Sequence, residues 1–269
     1  MTEKESRLET ILVRVEDGLA VVTLNRPEAM NTLNETMASE LCQVMERLGT
    51  DNDVRAVLLK ANGRAFCAGM EMIYREWKDD PGHVAFVTKN TVAALNKAFL
   101  SMLGIEKPVV CAVNGVAAGG GLSLAMSSDI VIASEAARFC TVAVRRGLFP
   151  DVGMNYLLPR IVGLLKAKEL LFTADIIDAR EAASIGLVNK VVPAERLDEE
   201  ALTMAKRLAS AATKAIGLSK ITVHRGLTMD MAGTMELESL GQALCIQTED
   251  VREGIAAFLE KRQPSFKGR

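Results

Sequence analysis

Residues 113–129 read VNGVAAGGGLSLAMSSD, with Gly119, Gly120 and Gly121 set between two apolar runs. The first run suits a buried strand and the second a buried helix, so the glycines fall at a strand-to-helix junction. Glycine is needed there for one of two reasons. It lets backbone approach backbone or a ligand closely, and it opens a helix whose first N–H groups carry partial positive charge. The dinucleotide fingerprint G-x-G-x-x-G does not fit this spacing, and the phosphate loop would need Gly-Lys-Ser/Thr at its end. Two readings stay open: the glycines serve close helix–strand packing, or they aim an N–H near Gly120 at an oxyanion.

The 269 residues suffice for one large domain, or a domain with a small appendage. A hydrophobic fraction of 49% with only 4% aromatic implies a core of Ala, Val, Leu, Ile and Met. A formal charge of −2 gives no general attraction to nucleic acid or anionic membranes. No apolar run is long enough for a membrane span, and the polar start MTEKESRLET lacks the apolar stretch of a secretory signal. Cys42, Cys67, Cys111, Cys140 and Cys245 are odd in number and form no C-x-x-C, which fits free thiols in a reducing, cytoplasmic setting. No metal-ligand spacing and no redox-cofactor motif is present.

ETILVRVEDGLAVVTLNRP predicts a hairpin turning at Glu16-Asp17-Gly18. Met37, Leu41, Met45 and Leu48 recur at helical spacing after Asn34 or Thr32 as cap. Residues 54–61, 108–113, DIVIAS, ARFCTV and 186–193 predict further strands, and residues 84–104 a longer helix. From Glu195 to Lys261 the pattern is helical. Strands alternating with helices predict an α/β layered domain over residues 1–194, with a helical region over 195–269.

A second junction resembles the first. NGRAFCAGMEM (62–72) follows the strand VRAVLLKA and places the small residues Cys67, Ala68 and Gly69 at a strand end. Two such turns could offer two backbone donors to one developing negative oxygen.

The motifs NRPEAMNTL, FCAGMEM, PVVCAVNGVAAGGGLSLAMSSDIVIAS, GLFPDVG and GLVNKVVP, with the C-terminal EGIAAFLEKRQPSF, occur in this order. Together they resemble the enoyl-CoA hydratase/isomerase (crotonase) superfamily from about residue 10 to 267. The resemblance implies a spiral of ββα units with a C-terminal helical region for trimerisation, as a homotrimer or dimer of trimers. It implies acyl-CoA thioester substrates, with coenzyme A as part of the substrate and no separate cofactor. It also implies an oxyanion hole made by the N–H groups of Met70 and Gly120, with Ala68, Gly69 and Gly119 shaping the two turns.

The sequence departs from the hydratases of that superfamily. Their two catalytic glutamates would fall at Ser123 and Ala143, neither of which is a carboxylate. Serine is a poor general base near neutral pH, and alanine cannot act at all. That leaves Asp151, in a position the resemblance assigns to aspartate in several isomerases and to the nucleophile in dehalogenases. Asp151 is then expected either to shuttle a proton between two carbons of an enoyl thioester or to cap the helix that follows. Pairing with Arg145 or Arg146 would lower its pKa and favour a nucleophile. The dehalogenase pattern further expects a tryptophan at Ala143 and a histidine before the Arg-Pro, both absent here. The alternatives are a hydratase with an atypical water arrangement, a thioester hydrolase or dehalogenase, and a non-catalytic acyl-CoA binder.

Glu71 replaces the aspartate usual in its motif and is expected to shape the site. Asp129 matches a structural position, and Tyr74 and Trp77 fall in the variable segment that often lines the acyl pocket. Phe258, Lys261 and Lys267 match a region that contacts the coenzyme A moiety in relatives. His83 and His224 read as loop and surface residues.

Overall fold

A computed structural model of the chain describes residues 4–71 and 80–269. Tyr74 and Trp77 lie outside the described residues. A seven-stranded sheet forms the centre, in the order β1 (Lys4–Arg7), β2 (Ile11–Glu16), β3 (Leu19–Leu24), β4 (Ala56–Ala61), β6 (Val109–Val113), β8 (Ile130–Ser134) and β11 (Lys190–Val192). The first three strands run antiparallel, and β3 through β11 are parallel. The hairpin between β2 and β3 turns on Asp17 and Gly18, at φ 51° and 79°. Both angles are left-handed, as a two-residue turn matched to strand twist requires.

The central parallel strands β4, β6 and β8 are almost wholly apolar because both faces are covered. All five residues of β6 are buried. One face meets α1 (Glu35–Thr50) and α2 (Pro81–Gly104), with Met37, Leu41, Met45 and Leu48 fully buried. Asn34 caps α1, its side chain accepting from the Met37 N–H. The other face is covered by α7 (Leu197–Ala209), which lays Leu197, Ala201, Ala205 and Ala209 on Leu58, Val110 and Ile132. Three alanines let that helix approach the sheet closely.

A second sheet, in the order β10 (Ile177–Asp178), β9 (Arg138–Cys140), β7 (Val116–Ala118) and β5 (Ala65–Cys67), positions the site. Strands β5, β7 and β9 are mutually parallel, so their C-terminal ends emerge together. β5 leads into Ala68-Gly69-Met70, β7 into Gly119-Gly120, and β9 into Thr141-Val142-Ala143. The short α3 (Gly120–Met126) follows directly and is buried at every residue. Then come α4 (Met154–Val162), α5 (Leu164–Thr173) and α6 (Ala179–Ser184).

Beyond α7, the chain continues as α8 (Thr213–Gly226), α9 (Met231–Cys245) and α10 (Glu249–Glu260). A buried ion pair ties α8 to the core: Lys220 Nζ lies 2.9 Å from Asp129 Oδ2 and also donates to the Met102 and Lys107 carbonyls. Asp129 Oδ2 accepts the Val109 N–H as well, so its role is structural, as the sequence implied. Among the described residues no helix is long and apolar enough to cross a membrane. The five cysteines are free, with Cys67, Cys111 and Cys140 buried.

Candidate active site

The two glycine turns meet because their strands are parallel neighbours. Gly69 has φ +100°, and a Cβ there would sit 2.8 Å from the Ala118 carbonyl oxygen and 3.8 Å from the Gly119 Cα. Gly119 has φ +50° and donates its N–H to the Cys140 carbonyl, linking the third strand end. Both positions thus need glycine on conformation, and Gly69 on space as well.

Gly120 and Met70 stand side by side. A Cβ on Gly120 would lie 4.0 Å from the Met70 nitrogen. The backbone around Met70 is otherwise saturated: Ala68 N–H donates to the Met30 carbonyl at 3.1 Å, and Glu71 N–H to the Leu33 carbonyl at 2.9 Å. Met70 N–H has no acceptor among the described residues. Gly120 opens α3, so its N–H lacks an intrahelical acceptor. Two unpartnered donors on adjoining turns form a site able to hold a partial negative charge on one oxygen. Gly121 does the other job the glycines could do. A Cβ there would collide with the Cys67 carbonyl oxygen and lie 2.8 Å from the Cys67 Cβ.

The segment carrying Asp151 reaches the same place. Val152 is buried, and its Cγ2 lies 3.6 Å from where a Cβ on Gly120 would stand. Val152 also holds φ +45°, a left-handed conformation rare for a β-branched residue. Asp151 does not cap α4: the cap position is Gly153, with no side-chain hydrogen bond. The expectation of pairing with an arginine also ends here. Arg145 reaches Asp175 at 3.4 Å, and Arg146 forms no ion pair among the described residues. Burial therefore dominates at Asp151 and raises its pKa, partly opposed by its own backbone N–H. A half-buried carboxyl without a cationic partner is suited to taking up and returning a proton.

Ser123 lies one helical turn after Gly120, fully buried, its Oγ without a partner among the described residues. Ala143 begins the 3-10 turn after β9, at the same sheet end. Glu71 is ion-paired with Arg26 at 2.8 Å, so it clips two loops together beside Met70. Cys67, despite its place in the turn, is no nucleophile, because burial pushes its thiol up to about 12. Lys261 is not brought to these turns: it is exposed at the C-cap of α10. Lys267 pairs with Glu249 at 3.2 Å, and Phe258 is exposed. His83 is exposed in the first turn of α2, and His224 lies in the last turn of α8.

Parallel strands that end on two unpartnered N–H groups form a place where a carbonyl oxygen could be polarised. Residues 14–269 match the family described as enoyl-CoA hydratase/isomerase, and the chain belongs to that family. It is an acyl-CoA enzyme of the crotonase superfamily. It is 37% identical over 262 residues to the 1,2-epoxyphenylacetyl-CoA isomerase of Escherichia coli, covering 97% of this chain and 100% of that protein. It is 38% identical to the crotonyl-CoA hydratase of Syntrophomonas wolfei, covering 96% of this chain and 98% of that one. The crystal structure of enoyl-CoA hydratase from Bacillus anthracis superposes with a TM-score of 0.90 at 31% identity, covering 97% of this chain and 100% of that one.

Sequence reasoning missed Asn31. It is fully buried, has φ +53°, and holds three strand-end segments together. Its only sequence signal is a polar residue within an otherwise ordinary turn.

Proposed function

We propose that the enzyme shifts the double bond of an enoyl-CoA, with Asp151 as the proton shuttle and the Met70 and Gly120 N–H groups holding the thioester oxygen. The observation that carries this reading is Asp151 itself. It is the carboxyl whose neighbour Val152 packs against Gly120, and burial raises its pKa with no cation paired to it among the described residues. Its carboxylate removes a proton from one carbon. The electrons move onto the thioester oxygen as an enolate, which the two N–H groups stabilise, and the proton returns two carbons away. Each donor contributes roughly 3 kcal/mol to that stabilisation. Ser123 is fully buried one turn from Gly120, a placement that favours packing over contact with substrate or water.

Hydration is the second reading. It is favoured by the identity of 38% to a crotonyl-CoA hydratase, and opposed by Ser123 and Ala143 at the two glutamate positions. Proton NMR of 3-enoyl-CoA and 2-enoyl-CoA in D₂O separates them. Isomerisation gives a double-bond shift with deuterium at the α or γ carbon, lost in Asp151→Asn. Water addition that survives Asp151→Asn overturns the proposal.

The trimer reading is supported by apolar side chains standing in solvent. Leu165 is 83% exposed, Phe258 82% and Met231 78%, on α5, α10 and α9. Patches of this kind mark association surfaces. Sedimentation at three or six times the chain mass is the expected outcome, and a monomer removes this reading. The free thiols fit a reducing compartment such as the cytoplasm.

A further inference from the structure

We infer that Asn31 is a positioning residue: it fixes the direction of the Met70 N–H. This rests on the proposed role of that N–H and deepens it.

Met30 and Asn31 are consecutive non-glycine residues with φ of +51° and +53°. Such conformations cost free energy and persist only where the surroundings over-determine them. Here the Asn31 side chain does so. Its Nδ2 donates to the Asn62 and Ala65 carbonyls, both at 2.9 Å, and its Oδ1 accepts the Arg26 N–H at 2.8 Å. Its own N–H donates to the Arg26 carbonyl at 2.9 Å. One buried amide thus joins the end of β3's loop, the residue after β4 and the start of β5.

The consequence reaches Met70 through peptide geometry. The doubled left-handed turn sends the Met30 carbonyl to the Ala68 N–H, and carries Leu33 alongside Gly69. Leu33 N–H donates to the Gly69 carbonyl at 2.8 Å, and Leu33 carbonyl accepts from Glu71 N–H. The Gly69 carbonyl and the Met70 N–H belong to one planar trans peptide and point in opposite directions. Pinning the carbonyl on Leu33 therefore turns the Met70 N–H away from Leu33, and leaves it free. Arg26 reinforces the same clamp, its guanidinium donating to the Thr32 carbonyl and to Glu71, each at 2.8 Å.

The test is Asn31→Gly. Glycine adopts φ +53° without penalty, so the turn can still form while all three side-chain hydrogen bonds are lost. The probe is butanoyl-CoA carrying carbon-13 at the thioester carbonyl, read by difference infrared spectroscopy. Turnover is read with 3-hexenoyl-CoA. In wild type the bound carbonyl stretch falls below that of the free thioester. In Asn31→Gly it moves back toward the free value. kcat falls about 100-fold while KM changes less than threefold, because the donor is misdirected in the transition state. Asn31→Asp keeps the acceptor for Arg26 N–H, loses the two donations, and is expected to move the same way. It serves if the glycine variant does not fold. A wild-type carbonyl shift retained in a folded variant with unchanged kcat overturns the inference, even where thermal stability falls. No shift in wild type instead overturns the role of the Met70 N–H, and with it the premise.

Discussion

Replacing Asp151 with asparagine is expected to lower the rate of double-bond migration by 10² to 10⁴-fold, the range for loss of a general acid–base. KM should stay within a few-fold, since the side chain handles a proton rather than holding the ligand. The same variant has a second, independent signature. Burial raises the folded-state pKa of Asp151, whereas the unfolded chain titrates at roughly 3.9. Above the folded value both states are ionised, and the folded state bears the desolvation penalty. As pH falls through the folded value, the folded protein takes up the proton first, and wild type gains stability until the unfolded value is passed. Asp151→Asn should therefore be more stable than wild type at pH 7, by denaturant unfolding, with the gain shrinking at acid pH. A rate loss with a stability loss at pH 7 would make Asp151 a structural residue.

The second large effect separates adjacent glycines. Gly121→Ala should destabilise the fold by about 3 kcal/mol or more, because its Cβ meets the Cys67 carbonyl and Cβ, where no flexible side-chain end can move aside. Gly120→Ala places its methyl 2.9 Å from Leu33 Cδ1 and 4.0 Å from the Met70 nitrogen. Its main effect should be on turnover, through crowding of the space between the two donors. Unfolding curves and kcat for both variants check this. Equal stability losses in the two would remove the division of labour between these positions.

Local chemistry made much of the architecture readable. The Asp17-Gly18 turn announces its hairpin, the spacing of Met37, Leu41, Met45 and Leu48 announces α1, and the nearly continuous apolar runs of β4, β6 and β8 announce strands covered on both faces. In the second sheet ARFCTV announces β9, but β5 and β7 have three residues each and β10 has two, too few to show a period of two. β1 is the charged stretch Lys4–Arg7, legible as polar terminus rather than as an edge strand. The pairing of the two glycine turns, some fifty residues apart, follows from the parallel neighbours β5 and β7. Asn31 gave little sign of itself, because its importance lies in contacts with Asn62 and Ala65. That Arg145 pairs with Asp175 and not with Asp151 is likewise a tertiary fact.

The Met70 and Gly120 N–H groups are expected to receive the thioester oxygen together. A crystal structure of the protein with butanoyl-CoA bound tests it most directly. The expected result is a thioester oxygen about 2.7–3.1 Å from both nitrogens, with the Asp151 carboxyl facing the acyl carbons. A thioester oxygen bound away from either nitrogen, with Asp151 turned from the acyl group, would contradict the account.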